Sequence, residues 1–317
     1  MQHTPDTDGI TSISTRSLIA LREQAKQLPL HSSRIHARQG GAYLSSFKGR
    51  GMEFEESRMY MPGDDIRNMD WRVTARTGNA HTKVFREERE RPVLLWLDLN
   101  ASMMFATRGA FKAVVASKLA ALLAWSTVNH NDRLGALIFA GDQHSEIRPR
   151  RGKNVALQIL GAIARHPAWQ PQNQHAEKRD MLAALSRLRQ VTRPGSLVFM
   201  LSDFRDMSRQ AEVHLANTAR HSDVVLIHVS DPIEDQLPPR GQYLVSDGKR
   251  VIQLNTADRH YREQYHRRFH AHRQHLQQLC RLHRMFYLPV STSDDPLAAL
   301  QAGLGLRASL TNQYRAG

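Results

Sequence analysis

A chain of 317 residues, 41% hydrophobic and 23% charged, has the composition of an ordinary soluble globular protein and enough length for one large domain with a smaller companion. Its 44 Lys and Arg against 30 Asp and Glu leave a net +14, which favours nucleic acid, anionic lipid or acidic protein partners without choosing among them. No run of 18 apolar residues occurs, the first 30 residues lack the charged-then-apolar order of a signal peptide, and the single cysteine, Cys280, excludes an internal disulfide framework, so a cytoplasmic protein is expected.

Four segments are expected: a disordered N-terminus over 1–13, an accessory segment over 14–91, a sheet domain over 92–305 and a tail over 306–317. Ile19, Leu21, Ala25 and Leu28 recur at roughly helical spacing and predict a short amphipathic helix over 14–28. Residues 29–50 are basic and loop-like, and 52–91 are dense in charge, with one strand expected over 82–86. From Pro92 the pattern changes to strands alternating with helices, which predicts a mostly parallel sheet flanked by helices.

Strands are expected at 92–98, 133–140, 196–202, 223–230 and 285–290, and a hairpin arm at 146–148. Helices are expected near 108–129, 153–165, 179–191, 208–220 and 257–284, with a short one from Pro296. In the first helix Phe111, Val114, Val115, Leu119, Leu122 and Leu123 mark the buried side. Asp247-Gly248 between two short alternating runs is a hairpin signal.

Two of the apolar runs end in an aspartate, Asp98 and Asp203, and the first opens into Asp98-Leu99-Asn100-Ala101-Ser102. In an open α/β sheet ligands bind beyond the carboxyl ends of the strands, where both aspartates fall. Oxygen-bearing side chains at i, i+2 and i+4 of an extended loop can converge on a hard cation, so Asp98, Asn100, Ser102 and Asp203 are the candidate ligands of a Mg²⁺ ion. Asn100 stands where a serine belongs in an Asp-x-Ser-x-Ser adhesion loop, and its carbonyl oxygen can still ligate. A threonine is the fifth member of that pattern, but 174–180 contains no hydroxyl. A Lys or Arg beside the site would instead place its own charge between the two aspartates. The alternative is that Asp98 and Ser102 only hydrogen-bond within the loop.

A second cluster lies at 60–76: Tyr60, Gly63, Asp64, Asp65, Arg67, Asp70, Trp71, Arg72 and Arg76. Pro62-Gly63 suits the centre of a turn, and Asp64 or Asp65 suits a cap behind it. The favoured reading is an ion-paired brace between the accessory segment and the core, with Trp71 anchoring the segment against the main sheet; the functional one is a partner-docking surface built on Trp and Arg. The stretch Gly51-Met52-Glu53-Phe54-Glu55-Glu56, then Tyr60-Met61-Pro62-Gly63-Asp64-Asp65 through Asp70-Trp71-Arg72, resembles the domain-of-unknown-function family numbered fifty-eight. The likeness runs over about 40–230 and includes Glu88-Arg89-Glu90 and 98–108. It implies a von Willebrand A-like fold and a partner, a MoxR-type AAA+ ATPase, in complex assembly or maturation.

Three weaker signals remain. Arg150, Arg151 and Lys153, in a basic loop leading into a helix, could hold an anion. His266 and His270 share a helix face at i and i+4, a metal-ligating spacing, but no carboxylate accompanies them as in H-E-x-x-H, and Tyr261, Tyr265, Phe269, Leu276 and Leu279 define the buried side. That leaves a solvated basic face as the expectation. The functional expectation is a non-enzymatic protein-binding adaptor with a degenerate metal-adhesion site. The alternatives are a Mg²⁺-dependent phosphoester hydrolase and a charge-driven nucleic-acid-binding module.

Overall fold

The computed structural model describes residues 7–28, 30, 52–62, 64–87, 92–170, 181–205, 207–246 and 251–305. Its first elements are two short helices, α1 (Thr15–Ala20) and α2 (Arg22–Ala25), where one continuous helix was expected. Two strands follow, β1 (Met52–Met59) and β2 (His81–Glu87), with a 3₁₀ turn at Ile66–Asn68 and helix α3 (Trp71–Thr77) between them. β1 pairs antiparallel with β2, so the charge-dense stretch holds two strands where the sequence pattern shows one.

The main sheet contains β3 (Val93–Asp98), β4 (Leu134–Ala140), β5 (Gln143–Arg150), β6 (Leu197–Ser202), β7 (Asp223–Ser230) and, last in the chain, β10 (Phe286–Ser291). Its helices are α4 (Lys112–Asn129), α5 (Lys153–Ala164), α6 (Leu182–Val191), α7 (Arg209–Ala219), α8 (Pro232–Asp235), α9 (Arg259–Leu282) and α10 (Pro296–Gly303). A hairpin of β8 (Gln242–Ser246) and β9 (Val251–Asn255) projects between α8 and α9 in chain order. Strand order is β10-β7-β6-β3-β4-β5; every neighbouring pair is parallel except β4 with β5. This is a mixed α/β architecture, a mostly parallel six-stranded sheet flanked by helices, as the alternating pattern predicts. Among the described residues no helix is long and apolar enough to cross a membrane.

The apolar runs explain the layering. Alternate residues of a strand point to opposite faces, and β3 feeds both. Val93, Leu95 and Leu97 pack in one core with α4, α5 and α10, while Leu94 and Trp96 pack in the other with α6, α7 and α9. α4 is buried nearly all round, as a helix central to one layer must be. Leu18, Ala25 and Leu28 join the first core, Trp125 Nε1 donates to the Leu18 carbonyl at 3.2 Å, and the Arg22 guanidinium lies over the Trp125 ring. The described residues accordingly fall into two compact units, one holding β1, α3 and β2, the other holding everything else. Residues 14–28 therefore go with the main sheet, and the accessory unit is shorter than the expected 14–91.

Backbone approach at the antiparallel edge is tight. A Cβ at Gly135 would lie 2.8 Å from the Ile147 carbonyl oxygen and 2.9 Å from the Pro149 nitrogen, beside the irregular β4–β5 register between Leu134 and Ala136. Gly135→Ala is therefore expected to lose about 1–3 kcal/mol by forcing these strands apart. Equilibrium urea unfolding checks it; an unchanged midpoint would show that the edge strand yields freely.

Candidate functional site at the carboxyl edge of the sheet

Asp98 ends β3, Asp203 follows β6 and Asp231 follows β7, so three parallel neighbours each deliver a carboxylate to the same edge. The four residues read as cation ligands do come together, but as an internally bonded set. Asp98 Oδ1 accepts the Asn100 N–H at 2.8 Å and its Oδ2 accepts the Ser202 hydroxyl at 2.6 Å. Asn100 Oδ1 accepts the Gly141 N–H at 2.8 Å, tying the first loop to the β4–β5 turn. Ser102 Oγ donates to Asp203 Oδ1 at 3.3 Å.

A buried cation from outside the predicted set sits against Asp203, where it bridges to Glu234 and makes no bond to Asp98. Lys112, the first residue of α4, is 0% exposed and places Nζ 2.7 Å from Asp203 Oδ2 and 2.8 Å from Glu234 Oε1. Arg205 adds a second cation, 2.6 Å from Glu234 Oε1 and half exposed at the rim. Residues 174–180, the stretch in which the adhesion pattern would carry its threonine, lie outside the described residues. The folded structure, not the sequence pattern, singles out Lys112: α4 is buried nearly all round, so a lysine at its head has to meet a carboxylate.

Electrostatics separate the two aspartates. Burial and then the neighbouring Asp203 charge push the Asp98 carboxyl up to about 7. Burial also pushes on Asp203, but the Lys112 ammonium and the nearby Arg205 outweigh it and hold that carboxyl below its ordinary range. Beneath them, His272 Nε2 sits 3.0 Å from the Asp203 carbonyl oxygen, and buried His228 meets the Tyr287 hydroxyl at 2.6 Å. Burial and then the facing His272 lower the His228 imidazole to about 3, which keeps it neutral.

Asp231 is spent on architecture. It caps α8 in a capping box with Glu234, Pro232 sitting at the first helical position, and it accepts bonds from Thr107 and Thr292. Glu234 is thereby fixed in the turn that carries it to Lys112.

Residues 56–275 match the family described as "Protein of unknown function DUF58". The chain belongs to that family. Uncharacterized proteins of Mycobacterium tuberculosis and Mycobacterium bovis are each 33% identical to this DUF58 chain over 234 residues, 74% of this chain and 72% of theirs. Among solved structures, a conserved hypothetical protein, BatB, of Bacteroides thetaiotaomicron aligns at a TM-score of 0.41 with 15% identity, over 69% of this chain and 98% of that one. An aerotolerance-related membrane protein of Bacteroides fragilis aligns at 0.40 with 14% identity, over 68% and 99%.

The DUF58 signature at 60–76 divides by charge. Its acids are structural: Asp64 pairs with Arg58 at 2.7 Å and accepts the Met61 N–H, Asp65 caps the 3₁₀ turn, and Asp70 caps α3 while accepting the Ser57 hydroxyl at 2.6 Å. Hydrogen bonds from Ser57 and then Val73 hold the Asp70 carboxyl below its usual range. Tyr60 joins the Ala80 carbonyl through its backbone N–H, and Gly63 lies outside the described residues. Arg67, Arg72 and Arg76 are exposed, and Trp71 is 66% exposed. The acids thus hold together the turns of the accessory unit itself, whereas Trp71 and these arginines are exposed.

The remaining signals shift place. Arg150 ends strand β5 and is no part of a loop, Arg151 and Gly152 form the link, and Lys153 starts α5; all three basic residues are exposed. Tyr261 is exposed, not on the buried side of α9, whereas Leu276 and Leu279 are buried and Tyr265 and Phe269 partly so. Cys280 is buried, and desolvation raises its thiol to about 12, which makes it a poor nucleophile.

Proposed function

We propose that this DUF58 protein is a non-enzymatic protein-binding adaptor whose adhesion site is held by an internal ammonium in place of Mg²⁺. One observation carries the reading: the fully buried Lys112 Nζ, shared between Asp203 and Glu234 at 2.7 and 2.8 Å. A divalent ion at that point would have to displace a cation whose chain is fixed at the head of α4. The donors that would greet it already have protein partners, and Asp98 is closed to solvent. These residues do not fit a Mg²⁺ site as they stand. The same closure argues against the phosphoester-hydrolase reading, which needs both carboxylates to meet metal, water and substrate.

At the rim of this edge Arg205 is half exposed, and its guanidinium can take a partner's carboxylate in the role a cation plays in a metal-adhesion contact. The accessory unit supplies a second surface, since Met59, Met61, Ile66 and Trp71 are exposed within a short stretch that also bears Arg67 and Arg72. Aromatic and Arg side chains of this kind are the ones that dominate interface energies. A MoxR-type AAA+ ATPase is the partner class, on the strength of the family resemblance.

Arg205→Ala and Trp71→Ala are each expected to weaken binding to the MoxR-type ATPase encoded in the same genome about tenfold or more, read by calorimetry or surface plasmon resonance. Far-UV circular dichroism should show both variants folded. Full affinity in the double variant would remove the adaptor surfaces proposed here, and Mg²⁺-dependent turnover in a phosphatase and nuclease screen would favour the hydrolase instead.

A further inference from the structure

We propose that Asp235, His266 and His270 form a binding site for a borderline divalent metal ion of the zinc type, independent of the adaptor reading. The two histidines are one turn apart on α9, their rings stacked with centroids 4.1 Å apart and planes 19° from parallel. The carboxylate that the local sequence lacks arrives from another element, because Asp235 closes α8 and puts Oδ1 3.3 Å from His270 Nε2. One ligand atom from each of the three residues lies within 4.8 Å of the other two. A tetrahedral ion with bonds of about 2.0–2.2 Å needs donors roughly 3.3–3.6 Å apart, so small side-chain rotations complete the set.

Two further features mark a ligand position. Asp235 Oδ1 is buried yet accepts no hydrogen bond, an arrangement that a cation would satisfy. Beside it opens a cavity of about 770 Å³, bordered by Asp235, Leu237, Arg262, Tyr265 and His266, which leaves room for a water or a ligand at the fourth position. The neighbouring cations are already engaged: Arg262 donates to the Pro238 carbonyl at 2.7 Å, while Arg259 and Arg267 flank Glu263 at 2.9 and 3.3 Å. Imidazole nitrogens select zinc-type ions over Mg²⁺ or Ca²⁺, which prefer an all-oxygen shell. Three protein ligands with an open position is the pattern of a site that keeps an exchangeable ligand.

Metal here would also fix the end of α8 against α9. Glu234 precedes Asp235 and holds Lys112, and His272 on α9 contacts the Asp203 carbonyl. Occupancy would therefore stiffen the two elements that carry the support of the carboxyl-edge acid cluster.

Zn²⁺ titrated by calorimetry into the chelator-treated full chain is expected to show one saturable site. Co²⁺ should give the visible absorption of a tetrahedral complex. His266→Ala, His270→Ala and Asp235→Asn should each weaken Zn²⁺ at least tenfold and abolish the Co²⁺ band. His260→Ala, exposed on the same helix, should leave both unchanged and so separates this site from general histidine binding. Zn²⁺ should raise the thermal midpoint of the wild type and not of the His266→Ala/His270→Ala double variant. Equal Zn²⁺ affinity in wild type and double variant would overturn the site, as would equal losses from His260→Ala.

Discussion

Replacing Lys112 by methionine is expected to remove about 3–5 kcal/mol of folding stability at neutral pH, the usual cost of stranding the partners of a buried ion pair. The side chain is nearly the same length, so packing changes little; what disappears is the ammonium 2.7 Å from Asp203 and 2.8 Å from Glu234. Arg205 remains on Glu234 but lies half in solvent, 3.7 Å from Asp203, and neutralises that carboxylate less well. The pH dependence has a defined sign. In the wild type Lys112 holds the Asp203 carboxyl below its ordinary range against the opposing effect of burial, so the stability it contributes is present above about pH 4 and lost as pH falls further. Without Lys112 burial prevails and Asp203 binds a proton readily. The deficit of the variant should therefore be largest near pH 7 and narrow toward pH 4. Urea unfolding across that range measures it, and a constant or absent deficit would mean that the ammonium is dispensable. Truncation to Lys112→Ala adds a second reading. The vacated space lies among carboxylates, so Mg²⁺ should raise the thermal midpoint of this variant and leave the wild type unmoved. An equal rise in the wild type would return the site to metal binding.

The contrast between Asp203 and Lys112 shows what the chain makes visible on inspection. Asp98 and Asp203 stand out because the first directly follows an apolar run and the second stands one serine beyond another, and short apolar runs bounded by turn residues suit buried parallel strands. Their shared edge follows from the topology, since strand ends in a parallel sheet collect on one side. Lys112 is harder, because a residue at the head of a helix has an ordinary polar explanation. Only the burial of α4 on every side, which depends on α1, α2, α5 and α10 closing around it, denies the lysine access to water. Glu234 is harder still, placed by the Asp231 capping box at the end of a different strand.

His266 and His270 are legible as a pair because helix geometry sets their spacing, but their carboxylate is not local: Asp235 belongs to a helix separated from α9 by a complete hairpin. β1 escaped detection because a two-stranded ribbon outside the main sheet need not carry an apolar run. In the signature, Asp64, Asp65 and Asp70 declare their capping roles through their positions before short helical turns. Residue type does not fix whether Trp71 faces inward, and in the folded chain its side chain is exposed.

Asp98→Asn should reverse its own effect on stability across the pH scale. In the folded chain burial and then the Asp203 charge push the Asp98 carboxyl up to about 7, against 3.8 without those influences. Folding therefore takes up a proton between those two values. The stabilisation is complete below about pH 4 and is lost as pH rises through 7, an amount of the order of 4 kcal/mol at about 1.36 kcal/mol per decade. Other buried groups slope the opposite way: burial lowers His166 to about 4, and burial with His272 lowers His228 to about 3, so their contributions grow with pH over much of the same window. Absolute stability of the wild type mixes these terms, whereas the difference between wild type and Asp98→Asn isolates the carboxyl. Asparagine copies the neutral acid in shape and keeps an acceptor for the Asn100 N–H, while the Ser202 hydroxyl can turn to accept from the new amide. Wild type should thus hold its advantage near pH 4 and lose it by pH 8, where a charged and buried Asp98 faces the negative Asp203. Paired urea titrations at pH 4, 6 and 8 would show the crossing. Parallel profiles would mean that Asp98 is ionised throughout, and that a cation stronger than the Lys112 ammonium neutralises the strand ends.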